Sequence, residues 1–237
     1  MANDTALQAV LAESIAGVRE HIADATRRAG RVADSVTIVG VSKTVGRATV
    51  DAAYAAGLRD FGENRVQDAL EKFAEDVPAD LRLHMIGSLQ TNKARQVVGK
   101  FALIHAVDRN ELADELSRRA VGQGLIQPVL LQINIAREEQ KHGCLPERAA
   151  ELLEHTLGVP GLAVRGLMAM APLTATAEEA RPVFAGLRDL QAKLRDQYPA
   201  ASLDALSMGM TNDYLVAIEE GATLVRVGRA IFAERAR

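Results

Sequence analysis

The sequence contains very little cysteine and few aromatic residues. Of its 237 residues, one is cysteine (Cys144), none is tryptophan, and aromatic residues amount to 3%. A single cysteine excludes an internal disulfide framework and a metal site built from several cysteines. Because hydrophobic residues still make up 48% of the chain, we expect an aliphatic core, which suits the layered interior of a parallel α/β barrel.

Excess positive charge and long apolar segments are also missing. The formal net charge is −3, whereas general nucleic-acid and membrane-surface binders usually carry a basic balance. No segment approaches the roughly 18 apolar residues of a membrane span, and the N-terminus has no basic region followed by an apolar stretch. We therefore expect a cytoplasmic protein that binds neither nucleic acid nor membranes.

Short apolar runs alternate with longer segments whose apolar residues recur at helical spacing. Eight such runs are present: SVTIVGVSK, LRDFGEN, LRLHMIG, ALIHAVD, PVLLQINI, VRGLMAM, LDALSMG and LVRVG. Strands that alternate with helices indicate βαβ units and a parallel sheet. Eight of them in a chain near the common barrel length of about 250 residues predict a (β/α)8 barrel of the TIM type. We expect one domain over residues 1–237, with an extra helix at residues 5–29 before the first strand.

An open, doubly wound sheet is the alternative fold. Its usual nucleotide-binding signature, GxGxxG directly after the first strand, is missing. The segment that stands there, GVSKTVG at residues 40–46, is neither that motif nor a Walker A loop. The barrel is therefore the preferred prediction.

Lys43 stands at the end of the first predicted strand. Side chains alternate along a strand, so Val39, Val41 and Lys43 share one face. If that face points inward, Lys43 enters the mouth of the barrel, where partial desolvation favours a neutral, nucleophilic amine suited to Schiff-base formation with an aldehyde. Position alone equally allows a lysine that leaves a strand end into solvent.

Arg226 lies inside the apolar pattern LVRVG of the last predicted strand. A buried guanidinium requires a partner, and a salt bridge to a nearby carboxylate is the simplest one. Placed opposite a pyridine nitrogen, however, an arginine can only donate a hydrogen bond. It would then keep that nitrogen unprotonated and make the ring a weaker electron sink.

Two loops could together bind a phosphate group. Residues 207–211 follow the seventh predicted strand and lead into a helix near Asn212, and Gly228 and Arg229 follow the eighth strand. Barrels often bind phosphate with the loops after strands 7 and 8 and a helix N-terminus. The alternative is a pair of tight turns that need glycine for backbone reasons.

The remaining titratable residues suggest weaker candidates. The five histidines form no HxH or HExxH pattern, so a metal-dependent hydrolase is a minor alternative, and we interpret His84 and His105 as packed or hydrogen-bonded residues. Glu63 and Asp108 stand at strand ends, where rim carboxylates or helix caps are expected more often than general bases. The basic segment at residues 90–100 is either a solvated helix face or a docking patch for an acidic partner.

Taken together, these residues resemble the YggS/PROSC family of pyridoxal phosphate homeostasis proteins. The similar segments extend over nearly the whole chain: VGVSKT (39–44), GLRDFGENRVQDALEK (57–72), LHMIGSLQTNKAR (83–95), HAVDR (105–109), LLQINIAREEQKHG (130–143), VRGLMAM (164–170) and LSMGMTNDYLVAIEEGATLVRVGRAIF (206–232). A long, ordered set of this kind is very specific. The resemblance implies a barrel like the N-terminal domain of alanine racemase that carries one pyridoxal 5′-phosphate (PLP).

The resemblance also implies roles for individual residues. Lys43 would hold PLP as a Schiff base, and Arg226 would lie at the pyridine nitrogen. The other implied contacts are Asn64 beside the cofactor, and Ser207, the backbone near Met208, Gly228 and Arg229 around the phosphate. Many members have Thr or Ser where Arg229 stands, so we expect its backbone N–H and its charge to replace that hydroxyl contact.

Two functions are compatible with such a site. Racemization on PLP needs a base on each face of the substrate, and the racemase takes a tyrosine from a second domain. None of Tyr54, Tyr198 and Tyr214 is an obvious second base here. We therefore expect a non-catalytic, monomeric PLP carrier that buffers the cofactor or delivers it to PLP-dependent apoenzymes. The alternative is a PLP-dependent amino-acid racemase or another PLP enzyme of low activity.

Overall fold

The computed structural model of the chain describes residues 2–32, 34–138, 140–174 and 176–233. Within these ranges, eight parallel strands follow one another in chain order around a closed barrel, and the last strand pairs with the first. The strands are β1 (Thr37–Val41), β2 (Asp60–Glu63), β3 (Arg82–Met85), β4 (Leu103–Val107), β5 (Gln127–Gln132), β6 (Leu162–Met168), β7 (Ala205–Met210) and β8 (Leu224–Val227). The predicted (β/α)8 barrel is confirmed. The predicted domain, residues 1–237, includes positions outside the described ranges, so its extent stays a prediction.

Helices follow the strands and surround the barrel. They are α1 (Ala2–Arg28), α2 (Arg47–Ala55), α3 (Val66–Lys72), α4 (Ala94–Val97), α5 (Asn110–Gly122), α6 (Ala149–Gly158), α7 (Arg181–Gln197), α8 (Tyr214–Glu219) and α9 (Arg229–Phe232). None of the helices in the described part of the chain is long and apolar enough to cross a membrane.

The predicted extra helix is α1, which begins earlier than expected and ends one residue sooner. Its buried side chains recur at three- and four-residue spacing and form one apolar stripe: Leu11, Ile15, Val18, Ile22 and Ala25. This stripe packs against α2, α8 and α9. The helix therefore covers the side of the barrel where β8 closes onto β1.

Alternating strand side chains contribute to two different cores. Those that point outward pack against the helices in an outer layer, whose large buried members include Phe61, Leu112 and Phe184. Those that point inward include a separate, small apolar cluster: Val39, Ile86, Leu103, Leu130, Met168 and Leu224. The barrel interior also buries polar side chains, among them Asp60, His84, His105, Gln132, Ser207 and Arg226. The predicted aliphatic core thus describes the apolar part of the interior, but polar side chains share that interior, and the outer layer also contains Phe61 and Phe184.

Candidate functional site

A cavity of about 940 Å³ opens at the C-terminal ends of the strands. Its lining comes from seven of the eight strand ends: Val41 and Lys43 at β1, Asn64 after β2, Gly87 and Ser88 after β3, Gln132 from β5, Met170 and Pro172 to Thr174 after β6, Met210 to Asp213 at β7, and Gly228 and Arg229 after β8. Carboxyl ends of parallel strands meet at one mouth of a barrel, which is where such barrels place their sites. The predicted position of the site is therefore the position of the cavity.

Lys43 lines this cavity two residues beyond the end of β1. Val39 belongs to the interior cluster and Val41 packs against it, so the predicted inward parity leads to Lys43. The lysine itself is exposed, which differs from the predicted partial desolvation. The reason is that β1 ends at Val41 and a turn carries Lys43 to the open side of the cavity.

The residue before Lys43 is held by a buried ion pair. Glu63 is fully buried, and its Oε1 accepts hydrogen bonds from Ser42 Oγ and from Lys72 Nζ, both at 2.7 Å. Lys72 Nζ also donates to the Ser42 carbonyl oxygen at 2.7 Å. Ser42, Glu63 and Lys72, which we call the clamp, tie β1, β2 and α3 together and fix the turn that presents Lys43.

The clamp corrects one prediction and adds one residue. Glu63 is neither a solvated rim carboxylate nor a helix cap, because it is buried and paired. Lys72 was missed: the only signal in the sequence is that it lies nine residues after Glu63, at the end of α3. Asp108, the other strand-end carboxylate, pairs with its neighbour Arg109 at 2.5 Å and lines a second, smaller cavity beside Cys144.

Arg226 also lines the cavity, although it is only 3% exposed. Its Nη1 donates to Ser207 Oγ at 2.6 Å, and its Nη2 donates to the Ala169 carbonyl oxygen at 2.9 Å. Burial lowers the pKa of Arg226 to about 10, while nearby Asp213 acts in the opposite direction. Among the described residues no carboxylate lies within salt-bridge distance of this guanidinium, so the simple ion pair considered from the sequence is not formed.

The loops after β7 and β8 form one side of the cavity. Asp213 Oδ1 accepts a hydrogen bond from the Met210 N–H at 2.6 Å, and Arg229 Nη2 donates to Asn212 Oδ1 at 3.0 Å across the two loops. Burial raises the pKa of Asp213, against the hydrogen bond from Met210 and the charge of Arg226. The turn needs glycine at Gly209, where φ is +89° and a Cβ would lie 2.6 Å from that of Ala217.

The structure brings five of the seven predicted site residues together and leaves two outside. The cavity is lined by Lys43, Asn64, Arg226, Gly228 and Arg229. Ser207 and Met208 are fully buried and do not line it. Strand β7 continues to Met210, so Ser207 points into the barrel beneath Arg226 and Met208 points into the outer layer.

Thr211 and Asn212 line the cavity at the place predicted for Ser207 and Met208. They are the first residues after β7, and the length of that strand could not be read from the apolar run. Gln132 and His142 are further lining residues that the sequence did not suggest. Gln132 Oε1 is buried and, among the described residues, has no hydrogen-bond partner, which leaves an acceptor in the cavity wall.

The histidines of β3 and β4 are hydrogen-bonded inside the barrel, as predicted. His84 Nδ1 lies 3.0 Å from His105 Nε2, and both rings are buried. In the part of the chain that the structure describes, no group of three or more His, Cys, Asp or Glu residues could hold a metal ion.

The three tyrosines make their hydrogen bonds away from the cavity. Tyr54 bonds to Asp80, Tyr198 Oη to Glu154 at 3.4 Å, and Tyr214 Oη to His21 at 3.3 Å. The basic segment at residues 90–100 forms a 3-10 turn and the short helix α4. Its proposed role as a docking patch stays a prediction.

The chain is similar to a family profile and to several known proteins. The profile of the family "Alanine racemase, N-terminal domain" matches residues 18–236. The pyridoxal phosphate homeostasis protein of Aquifex aeolicus is 45% identical over 94% of this chain and 97% of its own length. That of Pseudomonas aeruginosa is 44% identical over 95% of this chain and 96% of its own length. The structure of PipY from Synechococcus elongatus with PLP bound is 40% identical, covers 94% of this chain and all of that chain, and superposes with a TM-score of 0.83.

Proposed function

Because the chain belongs to the pyridoxal phosphate homeostasis proteins, within the family defined by the alanine racemase N-terminal domain, we propose that it binds PLP and acts in PLP homeostasis. Lys43 holds the cofactor as a Schiff base, and the protein buffers PLP or delivers it to PLP-dependent apoenzymes in the cytoplasm. One observation carries the proposal: Lys43, Arg226 and the loops after β7 and β8 line a single cavity.

The donor groups of this cavity fit PLP. At about 940 Å³, the cavity lies within the range of small-molecule pockets. Arg226 donates two hydrogen bonds to Ser207 and Ala169, of the five that a guanidinium can donate, so it has N–H groups left for an acceptor such as a pyridine nitrogen. Thr211, Asn212 and Arg229 supply hydroxyl, amide and cationic groups suited to a phosphate.

Each residue has a distinct task in this proposal. Bound PLP supplies an aldehyde and a ring that can act as an electron sink. Lys43 provides the primary amine that bonds to the aldehyde, and its exposed position gives free access for loading and release. Arg226 can donate hydrogen bonds but cannot accept them, so the pyridine nitrogen opposite it must be the acceptor and stays unprotonated. An unprotonated ring is a weaker electron sink.

The positions of the tyrosines favour a PLP carrier over a PLP-dependent racemase. A racemase needs a second base across the substrate from the lysine, and Tyr54, Tyr198 and Tyr214 are hydrogen-bonded elsewhere. Because the family shares its fold with alanine racemase, an amino-acid racemase is the second candidate function. Incubation of the PLP-loaded protein with a panel of L- and D-amino acids separates the two, because turnover at ordinary enzymatic rates of about 1 s⁻¹ or more would contradict the carrier.

The attachment of PLP to Lys43 is tested by absorbance and borohydride reduction. We expect the purified protein to show a visible band with PLP, which borohydride converts into a stable adduct on the peptide that contains Lys43. Lys43→Ala should lose the band, whereas Lys193→Ala, an exposed lysine on α7, should keep it. Persistence of the band and of the reduced adduct in Lys43→Ala would refute the proposed linkage.

A further inference from the structure

A continuous chain of hydrogen bonds crosses the barrel interior beneath the cavity. Starting from the cavity, it links Arg226, Ser207, His105, His84 and Asp60, which we call the interior chain. Its distances are 2.6 Å from Arg226 Nη1 to Ser207 Oγ, 2.9 Å from Ser207 Oγ to His105 Nδ1, 3.0 Å from His105 Nε2 to His84 Nδ1, and 3.0 Å from His84 Nε2 to Asp60 Oδ1. All five residues are at most 5% exposed, so their polar atoms need hydrogen-bond partners within the barrel or the cavity.

The far end of the interior chain is an anion. Arg82 donates to both carboxylate oxygens of Asp60, each at 2.6 Å. Burial raises the pKa of Asp60, but the hydrogen bonds from His84 and Arg82 outweigh burial and the net pKa is lowered. An ionised carboxylate only accepts hydrogen bonds, so His84 must donate to Asp60 from Nε2.

The near end is a cation. Arg226 has donors only, so Ser207 Oγ must accept from Nη1. Burial, with the charge of Arg226 as a smaller cause, lowers the pKa of His105 well below its ordinary range, so its ring is neutral with a single N–H. The two ends and the neutral His105 leave very few ways to place the protons.

One placement gives every proton in the interior chain an acceptor. The Ser207 hydroxyl donates to His105 Nδ1, His105 Nε2–H donates to His84 Nδ1, and His84 Nε2–H donates to Asp60. All four bonds then run in one direction, from the cavity towards Asp60. In the reverse placement His105 donates to Ser207, whose own hydrogen would be buried without an acceptor among the described residues, at a cost of about 1–3 kcal/mol.

We propose that Ser207, His105, His84 and Asp60 are positioning residues that hold Arg226 as a one-way hydrogen-bond donor to the ligand in the cavity. The inference rests on the proposed function, since the ligand is PLP. His105 accepts from Ser207 at Nδ1 and so keeps a Ser207 lone pair available to Arg226, and Arg226 is thereby held at a fixed orientation with its remaining N–H groups on the cavity side. The hydrogen bonds that orient Arg226 therefore extend through the barrel interior to the N-terminal ends of β2 and β3.

The protonation pattern is testable without any cofactor. In PLP-free, ¹⁵N-labelled protein, long-range ¹H–¹⁵N correlation of the imidazole rings should show both His84 and His105 protonated at Nε2 and not at Nδ1. His84→Gln and His105→Asn assign the signals. A proton on Nδ1 of His105 would reverse the chain and overturn the proposal, whatever the protein binds.

The effect on the ligand is measured by PLP titration and by the visible spectrum of the bound form. His105→Leu removes the acceptor for Ser207, and Ser207→Ala removes the acceptor for Arg226. Each should shift the absorption band and weaken PLP binding about tenfold, the equivalent of one hydrogen bond. His105→Asn, whose amide oxygen can replace Nδ1, should recover most of the wild-type affinity.

His155→Leu is the matched control, because His155 lies on α6 and bonds to Asp114 outside the barrel. It should leave the spectrum and the affinity unchanged. If His105→Leu fails to fold, Ser207→Ala decides the question. Folded variants with wild-type spectra and affinities would overturn the inference. A wild-type protein without Lys43-dependent PLP binding would instead overturn the proposed function, and the NMR measurement of the histidine protons would then test the interior chain separately.

Discussion

The outer layer and the barrel interior are built from different materials. Between the strands and the helices, side chains are large and apolar, as at Phe61, Leu112 and Phe184. Inside the barrel, a small apolar cluster shares the space with several buried polar side chains, such as His105 and Arg226. Hydrophobic burial stabilises in proportion to area and has no direction, whereas a hydrogen bond fixes the position of both partners. The outer layer therefore contributes most of the stability, and the hydrogen bonds of the interior fix the orientation of its polar side chains.

The strongest test of this division removes a side chain from the outer layer. Phe184 is fully buried on α7, and Phe184→Ala should lower the free energy of unfolding by about 3–5 kcal/mol, the usual cost of a large cavity. Urea unfolding measures the loss. The PLP spectrum of the protein that remains folded should be unchanged, and a shifted spectrum would mean that the two regions are coupled more closely than their contacts suggest.

The clamp lies where the two regions meet, and breaking it should affect both. Glu63→Gln leaves Lys72, whose side chain is 10% exposed, without its counter-ion, and should cost about 3 kcal/mol of stability. It should also loosen the turn that presents Lys43 and accelerate PLP release.

The double variant Glu63→Gln with Lys72→Met is the control for this experiment. It removes both charges and should be more stable than Glu63→Gln alone, because no buried charge is left unpaired. Equal stability of the single and double variants in urea would show that the ion pair does not hold the turn.

The smallest effect is expected from the pH dependence of the interior. The pKa of Asp60 is lower in the folded state than its ordinary value of about 3.9 in an unfolded chain. Its contribution to stability is therefore complete above the ordinary pKa, and it is lost as the pH falls through that value and then through the lower folded pKa.

Asp60→Asn removes this contribution. It should lower stability at neutral pH and make the loss of stability between about pH 5 and pH 2 shallower than in the wild type. Urea unfolding at a series of pH values measures both slopes. Exposed Asp196 on α7 offers the matched control Asp196→Asn, and a wild-type slope in Asp60→Asn would exclude Asp60 as the stabilising anion.

Local pattern was sufficient for the barrel and for part of the site. The alternation of apolar runs and helical segments predicted eight strands, and the parity of Val39 and Val41 led to the cavity at Lys43. Both depend only on periodicity along the chain. The exposure of Lys43, in contrast, depends on a turn whose conformation is fixed by the clamp, and no periodicity reports it.

Residues that depend on neighbouring strands could not be predicted. His84 and His105 meet because β3 and β4 pair with a shifted register, in which His84 lies opposite Leu103. Ser207 faces the interior because β7 extends three residues beyond it to Met210. Such offsets arise from the tilt of strands in a closed barrel, which a single sequence does not encode locally.

Closure of the barrel between β1 and β8 has a consequence for the order of events during synthesis. Val39 lies opposite Arg226 in this pairing, so Lys43 and Arg226 come to line the same cavity only when the first and last strands meet. Contacts between distant parts of a chain form late, because the intervening chain must first be ordered. On the proposed function, a growing chain that still lacks β8 has Lys43 but not yet Arg226 to complete the PLP site. Stable binding of PLP would then require that the last strand has already closed the barrel.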